Sequence, residues 1–145
     1  YELRDTIWAM NKNEITFEDL QLRMSNYIDK AHVFEDKINF SFNVDDGVDL
    51  SRKFTSVEGM NIYRVIQEAI HNSLKHGNPS QISVDVSQKL HNLQFVVSDD
   101  GKGFDMKTVP NGNGLTNMNK RIQEIGGELT IDSIENKGTK VIILL

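Results

Sequence analysis

Three polar side chains in the stretch 57–76, Glu68, Asn72 and Lys75, stand at i, i+4 and i+7. On a helix that spacing puts them on one side. They flank the apolar positions of the stretch rather than interrupt them. The set offers a carboxylate, a neutral amide oxygen and an ammonium. It suits a hydrated Mg²⁺ held between a side-chain oxygen and phosphates. Lys75 would meet a phosphate as a point charge, and Glu68 would orient or deprotonate a hydroxyl or water. The same spacing also describes an ordinary solvated helix face, so these three residues alone decide nothing.

A second stretch, Ser98 to Leu115 (SDDGKGFDMKTVPNGNGL), places Gly101, Gly103, Gly112 and Gly114 between an apolar strand and a segment of helical spacing. Glycine lets the backbone approach a ligand closely or turn with φ > 0. Two glycine pairs there predict a pocket floored by backbone, although a surface loop with turn glycines has the same composition. Asp99, at the end of the strand, can accept hydrogen bonds from an exocyclic amine such as adenine supplies. Asp100 reads as solvated or turn-forming. Phe104 either anchors the loop or packs near a base. Asn113 and the backbone from Gly112 to Leu115 can face phosphates at a helix start. Thr139 offers a hydroxyl at a strand start and is otherwise an ordinary strand threonine.

The elements that must hold these residues follow from periodicity. Leu3, Ile7 and Met10, with Trp8 beside them, read as the last turns of a helix over 1–12. Asn13 to Ile15 reads as a break. Thr16 and Asp19 resemble a capping box ahead of a helix over 17–32, with Phe17, Leu20, Met24, Tyr27, Ile28 and Ala31 as its apolar stripe. Residues 37–44 alternate and predict a half-buried strand. Residues 48–56 fit either a short edge strand or a loop. Thr55 or Ser56 caps the helix 57–76, which Gly77-Asn78-Pro79 ends. Strands over 82–86 and 93–97 flank a polar connection containing His91. After the glycine loop come a helix over 115–125, a strand over 128–133, a turn at Glu135–Gly138 and a strand over 139–145. Two sequential strand pairs predict a mixed or antiparallel sheet with helices on one face, an α/β (α+β) two-layer sandwich.

Composition removes several classes. The 145-residue chain has no cysteine and a formal net charge of −5, with no basic stripe. Disulfide and thiolate chemistry are excluded, and direct nucleic-acid binding is not expected. No segment approaches the roughly 20 apolar residues of a membrane span, and no membrane contact is expected. His32, His71, His76 and His91 lack zinc-site spacing. None is marked as a metal ligand or phosphate acceptor. Met24, Met60 and Met118 read as packing residues.

Taken together the motifs carry a resemblance. QEAIHNSLKHG (67–77) resembles the N box of the histidine-kinase, gyrase and MutL ATP-binding superfamily. DDGKGF (99–104) and GNGLTNMNKRIQEIGG (112–127) resemble its two glycine boxes, and KGTKVIILL its closing strand. The form GxGLxNMxxR is similar to that of bacterial sensor kinases paired with helix-turn-helix response regulators. The resemblance implies a Bergerat-type ATP-binding fold over 15–145, with 1–14 as the junction from a dimerisation helix. It implies ATP and Mg²⁺ as ligands, with Asn72 on the metal and Asp99 on the adenine amine. Gly101 and Gly103 would shape the adenine pocket, and residues 105–113 would be the nucleotide lid. Gly112, Asn113, Gly114 and Leu115 would lie by the phosphates, with Lys75 and His76 directed toward them. Thr139 would support adenine through a water. Glu68 matches the acidic residue of the N box. The implied activity is phosphoryl transfer to a histidine on a dimerisation helix absent from this chain, in a cytoplasmic domain that serves a response regulator. A stand-alone serine kinase of the same superfamily, a nucleotide-binding module without catalysis and a purely structural domain are the alternatives.

Overall fold

The computed structural model describes residues 14–105 and 113–145. The expected helix over 1–12, Gly112 and most of the expected lid lie outside them. The strands are β1 (Glu14–Thr16), β2 (Asn39–Val44), β3 (Lys53–Thr55), β4 (Gln81–Lys89), β5 (Asn92–Asp99), β6 (Glu128–Ile134) and β7 (Gly138–Leu144). The helices are α1 (Phe17–Phe34), α2 (Ser56–Asn72) and α3 (Asn113–Glu124). A π-helical turn, Ser73–Gly77, extends α2.

Five strands form a mixed sheet in the order β2-β4-β5-β7-β6. β2 runs parallel to β4, and every other pair is antiparallel. Both sequential pairs, β4–β5 and β6–β7, are neighbours as expected. Alternation sorts the faces. Ile82, Val84 and Val86 of β4 and Leu93, Phe95 and Val97 of β5 are buried. The intervening positions carry polar groups such as Asp85, whose carboxylate accepts from Asn43 Nδ2 at 3.1 Å. The helices cover the apolar face, so the domain is a two-layer sandwich. Phe17, Leu20 and Met24 of α1 and Ile62, Ile66 and Ile70 of α2 fill the space between the layers.

Both long helices start on reciprocal caps. Thr16 Oγ1 accepts from Asp19 N–H at 3.2 Å, while the Asp19 carboxylate accepts from Thr16 N–H at 3.1 Å. Thr55 and Glu58 repeat the arrangement at 3.1 and 2.8 Å, which makes Thr55 the cap of α2. Each such box satisfies two N–H groups that the helix leaves unpaired.

Two expectations need correction. Glu14–Thr16 is a strand, not a break: it pairs antiparallel with Lys53–Thr55 in a small second sheet. That pairing also resolves the ambiguous stretch 48–56 into a loop and a short strand. The helix predicted over 57–76 is α-helical only to Asn72; its last turn is π-helical, and Asn78 follows in the left-handed region at φ 48°. π turns interrupt the regular ladder and recur at functional sites.

Candidate functional site

The C-terminal half of α2, the π turn, the end of β5, β7 and the start of α3 enclose a cavity of about 500 Å³. That lies within the usual range for small-molecule sites. Its apolar wall comes from Ala69, Leu115, Met118, Ile131 and Val141, with Phe104 beside them. Met118 and Val141 belong to the buried core, so the cavity is an exposed edge of that core.

Asp99 stands at one end. β5 carries it opposite Thr139 of β7. Its Oδ2 accepts from Ser73 Oγ at 2.5 Å, and its Oδ1 accepts from Gly101 N–H at 2.8 Å. Ser73 is buried at the first position of the π turn. The adjoining loop is clamped to the same turn, because Lys102 N–H donates to the Gly77 carbonyl at 2.7 Å. A Cβ on Gly101 would overlap that carbonyl, so only glycine permits this approach. On the far side Phe104 N–H donates to Ser133 Oγ at 2.8 Å, and Ser133 Oγ lies 2.8 Å from Thr139 Oγ1.

Elsewhere on the cavity wall Glu68 and Asn72 lie against the first turn of α3. A Cβ built on Gly114 would stand 2.9 Å from Glu68 Oε1 and 3.7 Å from Asn72 Nδ2. Ser73 follows Glu68 by five residues, about 7.5 Å of helical rise. Asn72 adjoins Ser73 and Glu68 lies about one helical turn before it, so these polar groups follow one another along the cavity wall from Asp99. Lys75 and His76 are exposed on the rim. Among the described residues no three His, Cys, Asp or Glu side chains gather as a metal cluster.

A more polar cleft of about 560 Å³ continues past Glu68 and Gly114, bordered by Tyr27, Arg64, His71 and Arg121 among others. Burial, and the nearby Glu68 carboxylate, hold the Tyr27 phenol above its usual range.

The structure therefore brings together Glu68, Asn72, Lys75, His76, Asp99, Gly103, Gly114, Leu115 and Thr139 around one cavity, with Gly101 behind Asp99. Asn113 begins α3, whereas Gly112 lies outside the described residues. Sequence reasoning missed Ser73 and Ser133. Ser73 lay inside a quoted motif, but nothing in its spacing showed a hydroxyl aimed at Asp99. Asp100 is exposed, and it ties the end of β5 to the start of β4 rather than forming a local turn. Its carboxylate accepts from the backbone N–H groups of Ser80 and Gln81 at 2.8 and 2.9 Å and from Ser80 Oγ at 2.5 Å.

These bonds, the Ser80 hydroxyl foremost, hold the Asp100 carboxyl below its ordinary value of 3.8. A folded-state pKa depressed in this way adds stability above the unfolded value and loses it as pH falls through the folded one. Asp100→Ala is therefore expected to lower the urea midpoint at pH 6 and to differ less from wild type at pH 3. Equilibrium unfolding at the two pH values checks this.

The family model for histidine kinase-, DNA gyrase B- and HSP90-like ATPases matches residues 58–145. The chain belongs to this family. A sensor-like histidine kinase of Chloroflexus aurantiacus is 29% identical over 155 aligned positions, covering 100% of this chain and 25% of that protein. The sensor histidine kinase LiaS of Bacillus subtilis is 38% identical over 81 positions, covering 55% of this chain and 22% of LiaS. The chain thus spans about a quarter of the length of these curated relatives. Among solved structures, the histidine kinase domain of the Erythrobacter litoralis EL346 blue-light activated kinase superposes with a TM-score of 0.72 at 18% identity. That match covers 87% of this chain and 60% of the other. The catalytic domain of the histidine kinase ThkA gives a TM-score of 0.71 at 16% identity, covering 91% and 94% of the two chains. At such identities the superpositions speak for the fold, which is the Bergerat-type sandwich of this ATPase family.

Proposed function

We propose that the chain is the catalytic domain of a sensor histidine kinase: it binds Mg-ATP and donates the γ-phosphoryl group to a histidine on a dimerisation helix. The observation that carries the reading is Asp99, a carboxylate held by two protein donors at the end of an apolar cavity. Such a group selects a flat apolar ring that bears an amine. The histidine-kinase relatives of the matched family support the same reading.

In this reading the adenine amine donates to Asp99, and the ring packs on Met118, Ile131 and Val141. Thr139 supports the base through a water. Its hydroxyl already neighbours Ser133, which fixes its direction. Gly101 and Gly103 shape the pocket behind the base. The phosphates extend along α2 toward Gly114, where the backbone of the first turn of α3, from Asn113 to Leu115, faces them. Lys75 and His76 reach the phosphates from the rim. Asn72 holds Mg²⁺ through its side-chain oxygen. The donor set fits this metal, since Mg²⁺ keeps several waters and takes its other ligands from phosphate. When bound it neutralises developing charge on the phosphates. Glu68 orients the incoming imidazole by accepting from its ring N–H, so that the other, unprotonated ring nitrogen attacks the γ-phosphorus and ADP leaves. Catalysis of this kind depends on position and charge. The response regulator that takes up the phosphoryl group, its helix-turn-helix output and the cytoplasmic setting belong to the same proposal.

Calorimetric titration with ADP, with and without Mg²⁺, tests it. Wild type is expected to bind saturably and more tightly with Mg²⁺. Asn72→Ala should weaken Mg-ADP binding about tenfold and metal-free ADP binding less than about twofold. It should also lose phosphotransfer to a dimerisation domain supplied separately. Folded wild type that shows no saturable binding at millimolar nucleotide would defeat the proposal. Equal losses with and without Mg²⁺ would remove Asn72 from the metal.

A further inference from the structure

Ser73 is buried where α2 passes into the π turn, and its Oγ stands 2.5 Å from Asp99 Oδ2 and 3.2 Å from the Ala69 carbonyl. A hydroxyl has one hydrogen to give, and the carboxylate is the stronger acceptor at the shorter distance. The second carboxylate oxygen is held by Gly101 N–H at 2.8 Å. One donor on each oxygen fixes the plane of the carboxylate, which would otherwise turn about its Cβ–Cγ bond. An ionised carboxylate has further lone pairs, so acceptor capacity is left on each oxygen for a ligand. Ser73 N–H is directed at both the Ala69 and Ile70 carbonyls, so the ladder of α2 itself holds the residue at the head of the π turn.

We propose that Ser73 is a positioning residue for base selection: its hydroxyl holds Asp99 in the orientation that favours a purine with an exocyclic 6-amine over one with a 6-carbonyl. The proposal rests on the reading of this cavity as an adenine-nucleotide site and goes beyond it, because it gives Ser73, acting through Asp99, a part in choosing the base. A fixed acceptor rewards an amine and repels a carbonyl. A carboxylate that swings on the single remaining Gly101 bond does both less well.

The test is the ratio of ADP to IDP affinity, measured by calorimetry on the 145-residue chain and its variants. IDP differs from ADP at the 6-position, where a carbonyl replaces the amine and the neighbouring ring nitrogen gains a proton. Ser73→Ala removes the donor. Ser73→Cys keeps the shape with a weak donor and stands in where the alanine variant does not fold. Both are expected to bind ADP roughly fivefold to tenfold more weakly, and IDP less than about twofold more weakly. A merely structural role would weaken both nucleotides alike, and that result overturns the proposal. A folded variant whose ADP-to-IDP ratio stays within about twofold of wild type overturns it too. Failure of wild type to bind ADP at all would instead overturn the nucleotide reading beneath, and this inference with it.

Discussion

Asp99→Asn is expected to lower the affinity for ADP by about two orders of magnitude while the domain stays folded. The reason lies in the protein donors already on the carboxylate. Gly101 N–H donates to Oδ1 at 2.8 Å, and the Ser73 hydroxyl donates to Oδ2 at 2.5 Å. An asparagine must place its NH₂ group at one of these two positions. Facing Gly101 it would set donor against donor, and a backbone N–H cannot reverse its role. Facing Ser73 it meets a hydroxyl that can turn and accept. The second arrangement wins, so the fold survives. The variant thus offers the adenine amine a donor on the Ser73 side and only an uncharged carbonyl on the Gly101 side. Losing a charge-assisted bond and gaining a donor–donor conflict costs about 3 kcal/mol, which is roughly a hundredfold in affinity. Calorimetry gives the affinity, and a thermal melt gives the fold. A loss smaller than about fivefold in folded protein would mean that Asp99 does not read the base.

How far this site was visible in the sequence depends on whether its contacts are local. Glu68, Asn72 and Lys75 share a helix, so their relation follows from 3.6-residue periodicity alone. The capping box at Thr16 is equally local, with the two partners three residues apart. The sheet order followed in part, because hairpins join neighbours in sequence. By contrast Ser73 meets Asp99 across 26 positions. Ser73 also continues the apolar rhythm of α2 without a break, and a π turn changes hydrogen bonding without changing that rhythm. β1 and β3 are three residues each, too short to display a period of two. Their pairing depends on the fold that brings Ile15 opposite Phe54. Thr139 falls between these cases. A turn over 135–138 would set 134 opposite 139, whereas the observed register pairs Ser133 with Thr139 and Ile134 with Gly138. The hydroxyl contact with Ser133 therefore depends on a one-residue choice of register that the hairpin signal alone does not fix.

The largest expected effect on stability is at Gly138, outside every quoted nucleotide-contact position. Its φ is +95°, a region L side chains rarely adopt, and a Cβ there would overlap the Asp99 carbonyl. That carbonyl belongs to the strand carrying the site carboxylate, and Thr139, the next residue, is the register partner of Asp99. The overlap cannot be relieved by a side chain turning away, because the obstacle is backbone. β7 would have to move off β5 just where the ladder supports Asp99. Gly126 separates the two contributions. Its φ is +76°, and a Cβ there would meet nothing within 4 Å. Gly126→Ala therefore reports conformational cost alone, about 1 kcal/mol. Gly138→Ala carries that cost and the overlap, and is expected to lose about 3 kcal/mol or more. Gly47→Ala, whose Cβ would approach only Gln88 Cβ at 4.0 Å, serves as the near-neutral control. Urea midpoints order the three variants, provided the m-value stays constant. If Gly138→Ala falls no further than Gly126→Ala, the backbone around Asp99 yields more easily than its packing implies. In that event the rigid carboxylate required for base selection would lose its support as well.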